Sequence, residues 1–203
     1  MNVTGVRTSI GFSLIALFLF AGSVGASPNS HDGGFFLRLS GGFAVASSEF
    51  EHGSDLIELD GAGGDMNVAI GGVIAPGLAI HGTLFGWFLT EPEIAMEGET
   101  GTLDSDLSLA AIGGGFTYYV EPANVYFSVS AGAGELSIET DNVTITSDTG
   151  FAMDAAVGKE WWTGDNWGLG VAGHFGYHSI PDGDFDDNWT GASFGVRFTA
   201  TRN

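Results

Sequence analysis

Apolar and polar residues alternate at period two through most of the chain, in eight segments of roughly ten residues or more, the rhythm of β-strands. Residues 35–50 put Leu37, Leu39, Gly41, Phe43 and Val45 on one face. Residues 62–75 do the same with Met66, Val68, Ile70 and Ile74, and residues 78–89 with Leu78, Ile80, Leu84 and Phe88. A fourth segment, 106–120, is blurred by Gly113-Gly114-Gly115, and its faces stay unassigned. Then follow 124–138 (Val125, Phe127, Val129, Ala131), 150–162 (Phe151, Met153, Ala155, Val157), 167–180 (Leu169, Val171, Phe175, Tyr177) and 189–200 (Ala192, Phe194, Val196, Phe198).

The opposite faces are small, polar or charged: Arg38 and Ser40 in the first segment, Asp65 and Asn67 in the second, His174 and His178 in the seventh, Ser193 and Arg197 in the eighth. Two architectures fit. A soluble sandwich or calyx turns the apolar face inward. A membrane barrel turns it outward to lipid.

The connections separate the two. Residues 76–77, 121–123 and 163–166 are short. Residues 51–61, 90–105, 139–149 and 181–188 are longer and acidic. Short and long strictly alternate, so an up-and-down barrel carries every long loop at one end, as membrane barrels do. Trp161, Trp162, Trp167, Tyr118, Tyr119 and Tyr126 bracket the short turns, while Trp87, Phe88, Tyr177 and Trp189 sit near the long-loop ends, in the manner of two interfacial girdles. On the assigned apolar faces the charges are Lys159 and Glu135, both near strand ends. A mid-membrane charge there would cost roughly 2–4 kcal/mol. The expected fold is therefore all-β, an eight-stranded antiparallel up-and-down transmembrane β-barrel, closed because lipid satisfies no backbone edge.

Ahead of the alternating region, Arg7 precedes an apolar run over residues 10–21 and then Val24-Gly25-Ala26, the layout of a cleaved export signal. We expect residues 1–26 to be a signal peptide and 27–203 the barrel. No cysteine is present, which removes disulfides, thiol catalysis and cysteine-bound zinc. With 5 Lys plus Arg against 25 Asp plus Glu, the net charge of -20 repels nucleic acid.

The pattern resembles the small eight-stranded outer-membrane barrels of Gram-negative bacteria, of the OmpA, OmpX and OmpW kind, over residues 35–200. The last strand, Ala192 to Phe198, is similar to their assembly signal, although the chain runs on to Asn203. The resemblance implies a monomer in the outer membrane. Its partners would be membrane lipid, lipopolysaccharide and the assembly machinery.

An eight-stranded lumen is narrow and filled by side chains. Arg38 and Arg197 lie near the same ends of the first and last strands, which pair on closure. We expect them to meet on one wall at similar height, neutralised by Glu160, with Asp65 and Asp154 higher up: a lumen ion-pair network that plugs the bore. His81, His174 and His178 read as polar filling, since His174 and His178 are separated by roughly 13 Å along one strand, too far for one metal ion. His178 and Ser179 are adjacent and face opposite ways, so no catalytic Ser/His arrangement is built and no enzyme is expected. In the last long loop Asp182, Asp184, Asp186 and Asp187 form a candidate cation-binding loop, with Ca²⁺ loosely held and no other cofactor. The expected role is structural or surface-interacting, with acidic loops meeting divalent cations or lipopolysaccharide. The alternative is a narrow passive pore for small solutes or cations.

Overall fold

The structure, a computed structural model, describes residues 30–53, 55–96, 99–140, 143–182 and 187–202. The expected signal peptide, 1–26, lies outside them. Eight long strands form the staves of a barrel: β1 (Gly34–His52), β2 (Asp55–Ala75), β3 (Leu78–Thr90), β6 (Asp106–Val120), β7 (Val125–Thr140), β9 (Gly150–Trp162), β10 (Trp167–Pro181) and β11 (Asn188–Arg202). Three short strands, β4 (Glu93–Met96), β5 (Glu99–Thr102) and β8 (Val143–Thr146), belong to the long-loop end. Every stave pairs antiparallel with its sequence neighbours, and β1 pairs with both β2 and β11, which closes the sheet. No barrel edge is left unpaired, as a chain in lipid requires.

The alternation predicted from sequence governs which way each side chain points. Phe43 is 77% exposed, Phe198 66% and Phe194 57%, and Leu39, Met66, Ile70, Ile80, Phe88, Phe127, Phe151 and Leu169 are exposed on the same outer surface. Arg38, Asp65, Asn67, His81, Thr117, Asp154, Glu160, His174, Arg197 and Thr199 are buried on the inner one. A water-soluble calyx would show the reverse. The fourth segment is resolved too: Ile112, Phe116, Tyr118 and Val120 face out, and Leu107, Leu109, Ala111, Thr117 and Tyr119 face in.

Two features depart from the sequence-based expectation. First, three of the four long connections are largely strand among the described residues. The β1–β2 hairpin continues to His52 and Asp55, where Glu49 pairs with Glu58 and Glu51 with Leu56. β4 pairs with β2 and with β5, and β8 pairs with β7. Stretches such as Leu56-Ile57-Glu58-Leu59 and Val143-Thr144-Ile145-Thr146 still alternate, so the sheet runs on past the barrel as a fringe. Secondly, the inner face is not polar throughout. At the long-loop end Leu59, Trp87, Leu89, Leu107, Leu109, Leu136 and Ile180 form a buried apolar cluster, with Ile94, Leu103, Ile138 and Trp189 packed on it. The lumen there is stoppered by hydrocarbon.

The four acidic connections are also tied to one another. His52 Nδ1 lies 2.6 Å from Asp187 Oδ2, joining the first to the last. Ser105 and Thr140 share a hydroxyl contact between the second and third. The Asp148 amide donates to the Pro181 carbonyl at 3.2 Å, joining the third to the fourth.

Candidate functional site

The lumen is organised in levels along the barrel axis. At mid-height Arg197 on β11 is buried between two carboxylates. Its Nη1 and Nη2 donate to Asp154 at 2.9 and 2.6 Å, and its Nη2 and Nε donate to Asp65, the former at 2.8 Å. Both pairs are two-pronged, the geometry in which a guanidinium binds carboxylates most strongly. Asn67 Nδ2 adds a bond to Asp154 Oδ1 at 3.1 Å. His174 sits beside the group, with Nε2 3.5 Å from Asp65 and Nδ1 3.7 Å from Asp154.

Arg38 on β1 occupies a lower level, towards the short turns. Its Nη2 donates to the Tyr119 hydroxyl at 2.7 Å, its Nε to Thr201 at 3.2 Å and its Nη1 to Thr117 at 3.3 Å. Its guanidinium lies 3.8 Å over the Tyr126 ring centre, a cation–π contact. Glu160 is the counter-charge, 3.6 Å from Nε, and it accepts from Tyr119 at 3.0 Å and from Thr201 at 2.6 Å. All five residues foreseen for the lumen network are thus buried in it, as two separate groups. The expectation that Arg38 and Arg197 meet at one height does not hold. The strand register pairs Arg38 with Thr201 and Arg197 with Gly42, four residues apart along each strand, or roughly 13 Å. Sequence position near a strand end says nothing of the stagger between strands, and stagger sets height.

Below Arg38 the short-turn mouth is closed by His31, a residue with no signal in the sequence pattern. Its ring stacks on Tyr119 with centres 3.4 Å apart and lies 4.9 Å from Trp162. Its Nε2 is 2.8 Å from Asn124 Oδ1, its backbone amide donates to Glu121 at 3.0 Å, and its carbonyl accepts from the Gly77 amide at 2.9 Å. It precedes the first strand and belongs to no periodic segment, so only the fold reveals it.

The histidines fill the bore. His81 bridges Thr83 at 2.7 Å and Thr117 at 3.1 Å. His178 lies under Trp87, with ring centres 5.9 Å apart, and its Nε2 is 3.0 Å from the Ser48 hydroxyl. To reach Ser48 from β10 it crosses the intervening strand at Gly191. A Cβ there would stand 2.5 Å from His178 Cε1 and 2.1 Å from the Ser47 carbonyl oxygen. Gly195 does the same for His174, whose Nε2 would meet a Cβ at 2.5 Å. Gly191→Ala is therefore expected to displace His178 and break its bond to Ser48, costing about 1–3 kcal/mol as overpacking does. Urea unfolding of the refolded variant measures it, and an unchanged midpoint would contradict the crossing.

The candidate cation-binding loop is partly committed to protein contacts. Asp187 contacts His52, and Asp182 accepts from Trp189 Nε1 at 2.8 Å. Asp184 and Asp186 lie outside the described residues. Among the described residues no three His, Asp or Glu side chains stand together in a way that would hold a metal ion. Outside the lumen, three pairs of carboxylates stand opposite one another in register on the outer face of the fringe. The register sets Glu49 opposite Glu58, Asp60 opposite Glu93, and Asp106 opposite Glu139.

No family model and no curated protein matches the chain. Solved structures do. Neisserial surface protein A superposes with a TM-score of 0.59 at 13% identity, over 83% of this chain and 97% of that one. The outer membrane protein OprG from Pseudomonas aeruginosa gives 0.51 at 13% identity, over 86% of this chain and 98% of that one. The likeness is one of fold: a closed eight-stranded antiparallel barrel.

Proposed function

We infer that this chain, which has the fold of the small eight-stranded outer-membrane barrels, is itself an integral outer-membrane protein that passes no solute and works at its surface. Its long-loop end would carry divalent cations shared with lipopolysaccharide phosphates. The short turns would face the periplasm and the acidic fringe the exterior, the orientation such barrels adopt. The exposed apolar belt supports the membrane reading. The apolar stopper, the Arg197 group, the Arg38 group and His31 together argue against a passive pore, the alternative reading.

One observation carries the surface role: the three cross-strand carboxylate pairs Glu49/Glu58, Asp60/Glu93 and Asp106/Glu139. Like charges directly opposite on a sheet are destabilising. Three such pairs on one fringe are tolerable when a hard cation with a taste for carboxylate oxygens sits between them. Millimolar Ca²⁺ or Mg²⁺ is expected to raise the unfolding temperature of the refolded protein, by roughly 2–4 °C for each kcal/mol of linked binding. The triple variant E49Q/D60N/D106N, already relieved of the repulsion, should respond much less. A wild-type protein indifferent to both cations would overturn the cation reading.

A further inference from the structure

We propose that the outer surface of β9, β10 and β11 at the short-turn end binds the phosphate headgroups of anionic phospholipids, one at each of two outward-facing cations. The proposal rests on the membrane reading above. The chain has few cations, and two of those described, Arg38 and Arg197, are spent inside the lumen. The two others among the described residues, Lys159 and Arg202, both belong to outward-facing positions. Lys159 is on β9 at a position with partial exposure. Arg202 is exposed at the end of β11, paired in register with Trp167 of β10.

Both lie in one three-stave sector but at different levels: Lys159 is paired with Val171 and Arg202 with Trp167, four residues further along β10, so each cation meets its own headgroup. Lys159 Nζ is 5.6 Å from the Trp161 ring centre and donates to the Ala123 carbonyl. Trp161 is paired with Leu169, and Trp161, Trp167 and Leu169 are all exposed. Among the described residues neither cation forms an ion pair. The acids close by offer no exception: Glu160, next to Lys159 in the chain, faces the lumen and pairs with Arg38, Glu121 near the Ala123 turn accepts from the His31 amide, and Asp165 pairs with neither cation.

An uncompensated cation flanked by interfacial tryptophans is a fitting environment for a lipid headgroup. The indoles lie at the glycerol level, the leucine meets acyl chain, and the ammonium and the guanidinium each meet a phosphate. No other part of the described wall offers a lysine or arginine outward, and the opposite end of the barrel is acidic. An anionic lipid therefore gains charge complementarity in this sector alone, whereas a zwitterionic lipid gains only the apolar contacts.

The test uses tryptophan fluorescence of the protein refolded into phosphatidylcholine vesicles. In one set a minor fraction of lipid is brominated phosphatidylglycerol. In the other the same fraction is brominated phosphatidylcholine, with unlabelled phosphatidylglycerol keeping the charge equal. The brominated anionic lipid is expected to quench more strongly, reflecting enrichment of about fivefold per cation near the surface, and the excess should shrink in high salt. The exposed substitutions K159Q and R202Q together should abolish the excess while leaving the β-sheet circular dichroism unchanged. Equal quenching by the two lipids overturns the site. An excess that survives in the double variant overturns its assignment to Lys159 and Arg202. Absence of quenching by either lipid overturns the membrane reading itself.

Discussion

Arg197→Met should be among the most damaging single substitutions in this chain, lowering stability by about 3–5 kcal/mol. The side chain is only 3% exposed and is held by four hydrogen bonds to Asp65 and Asp154. Methionine of similar length fills the space but leaves two carboxylates facing each other in the bore with no arginine between them. A buried ion pair often contributes little net stability, while a buried charge stripped of its partner is expensive. The control follows from that asymmetry. Adding D65N and D154N to R197M removes all three charges and should recover much of the loss. Urea-induced unfolding in detergent or lipid reports both variants. If R197M unfolds at the wild-type denaturant concentration, Arg197 does not bind the bore together.

Phe43→Arg should be comparably harmful, for the opposite reason. Phe43 lies midway along β1, opposite Val196, and is 77% exposed. In water, replacing an exposed phenylalanine by arginine would be harmless. At the centre of a lipid-facing wall the same change costs roughly 2–4 kcal/mol, falling towards zero at the interfaces. Phe43→Leu, which keeps the position apolar, should be nearly neutral. The two substitutions compared in vesicles decide which solvent the outer face meets. Equal stability of both variants would show that it meets water. The prediction is sharp because the volume change is similar for any solvent and only the charge discriminates.

Much of the architecture is legible in the amino-acid sequence, because period-two alternation and alternating loop lengths are local properties of the chain. Leu37, Leu39, Phe43 and Val45 announce a strand face wherever that strand ends up. The heights of Arg38 and Arg197 are not legible in the same way. They depend on stagger between β1 and β11, a property of the closed barrel rather than of either segment. The apolar stopper is hidden for a related reason. Its members Leu107 and Leu109 come from the one segment whose glycines erase the pattern, and Trp87 and Leu89 share β3 with an equally apolar outer face. A strand apolar on both faces carries no sign of which side is in. The fringe is hidden by its acids: Glu51, Glu58 and Asp60 read as loop chemistry, although a sheet outside the membrane can carry them on its solvent side. His31 stands outside any periodic segment.

His31 ties the chain to three neighbouring parts of the rim that are remote in sequence: the β2–β3 turn through Gly77, the β6–β7 turn through Glu121 and Asn124, and the end of β9 through Trp162. In mechanical terms it is a cross-brace over one mouth of a cylinder. A force drawing the chain out by its N-terminal side would load this brace before it reached the ladder between β1 and β11. The first barrier to extraction is thus a stacked ring and a few short bonds, and the long seam behind it bears load only once the brace has slipped.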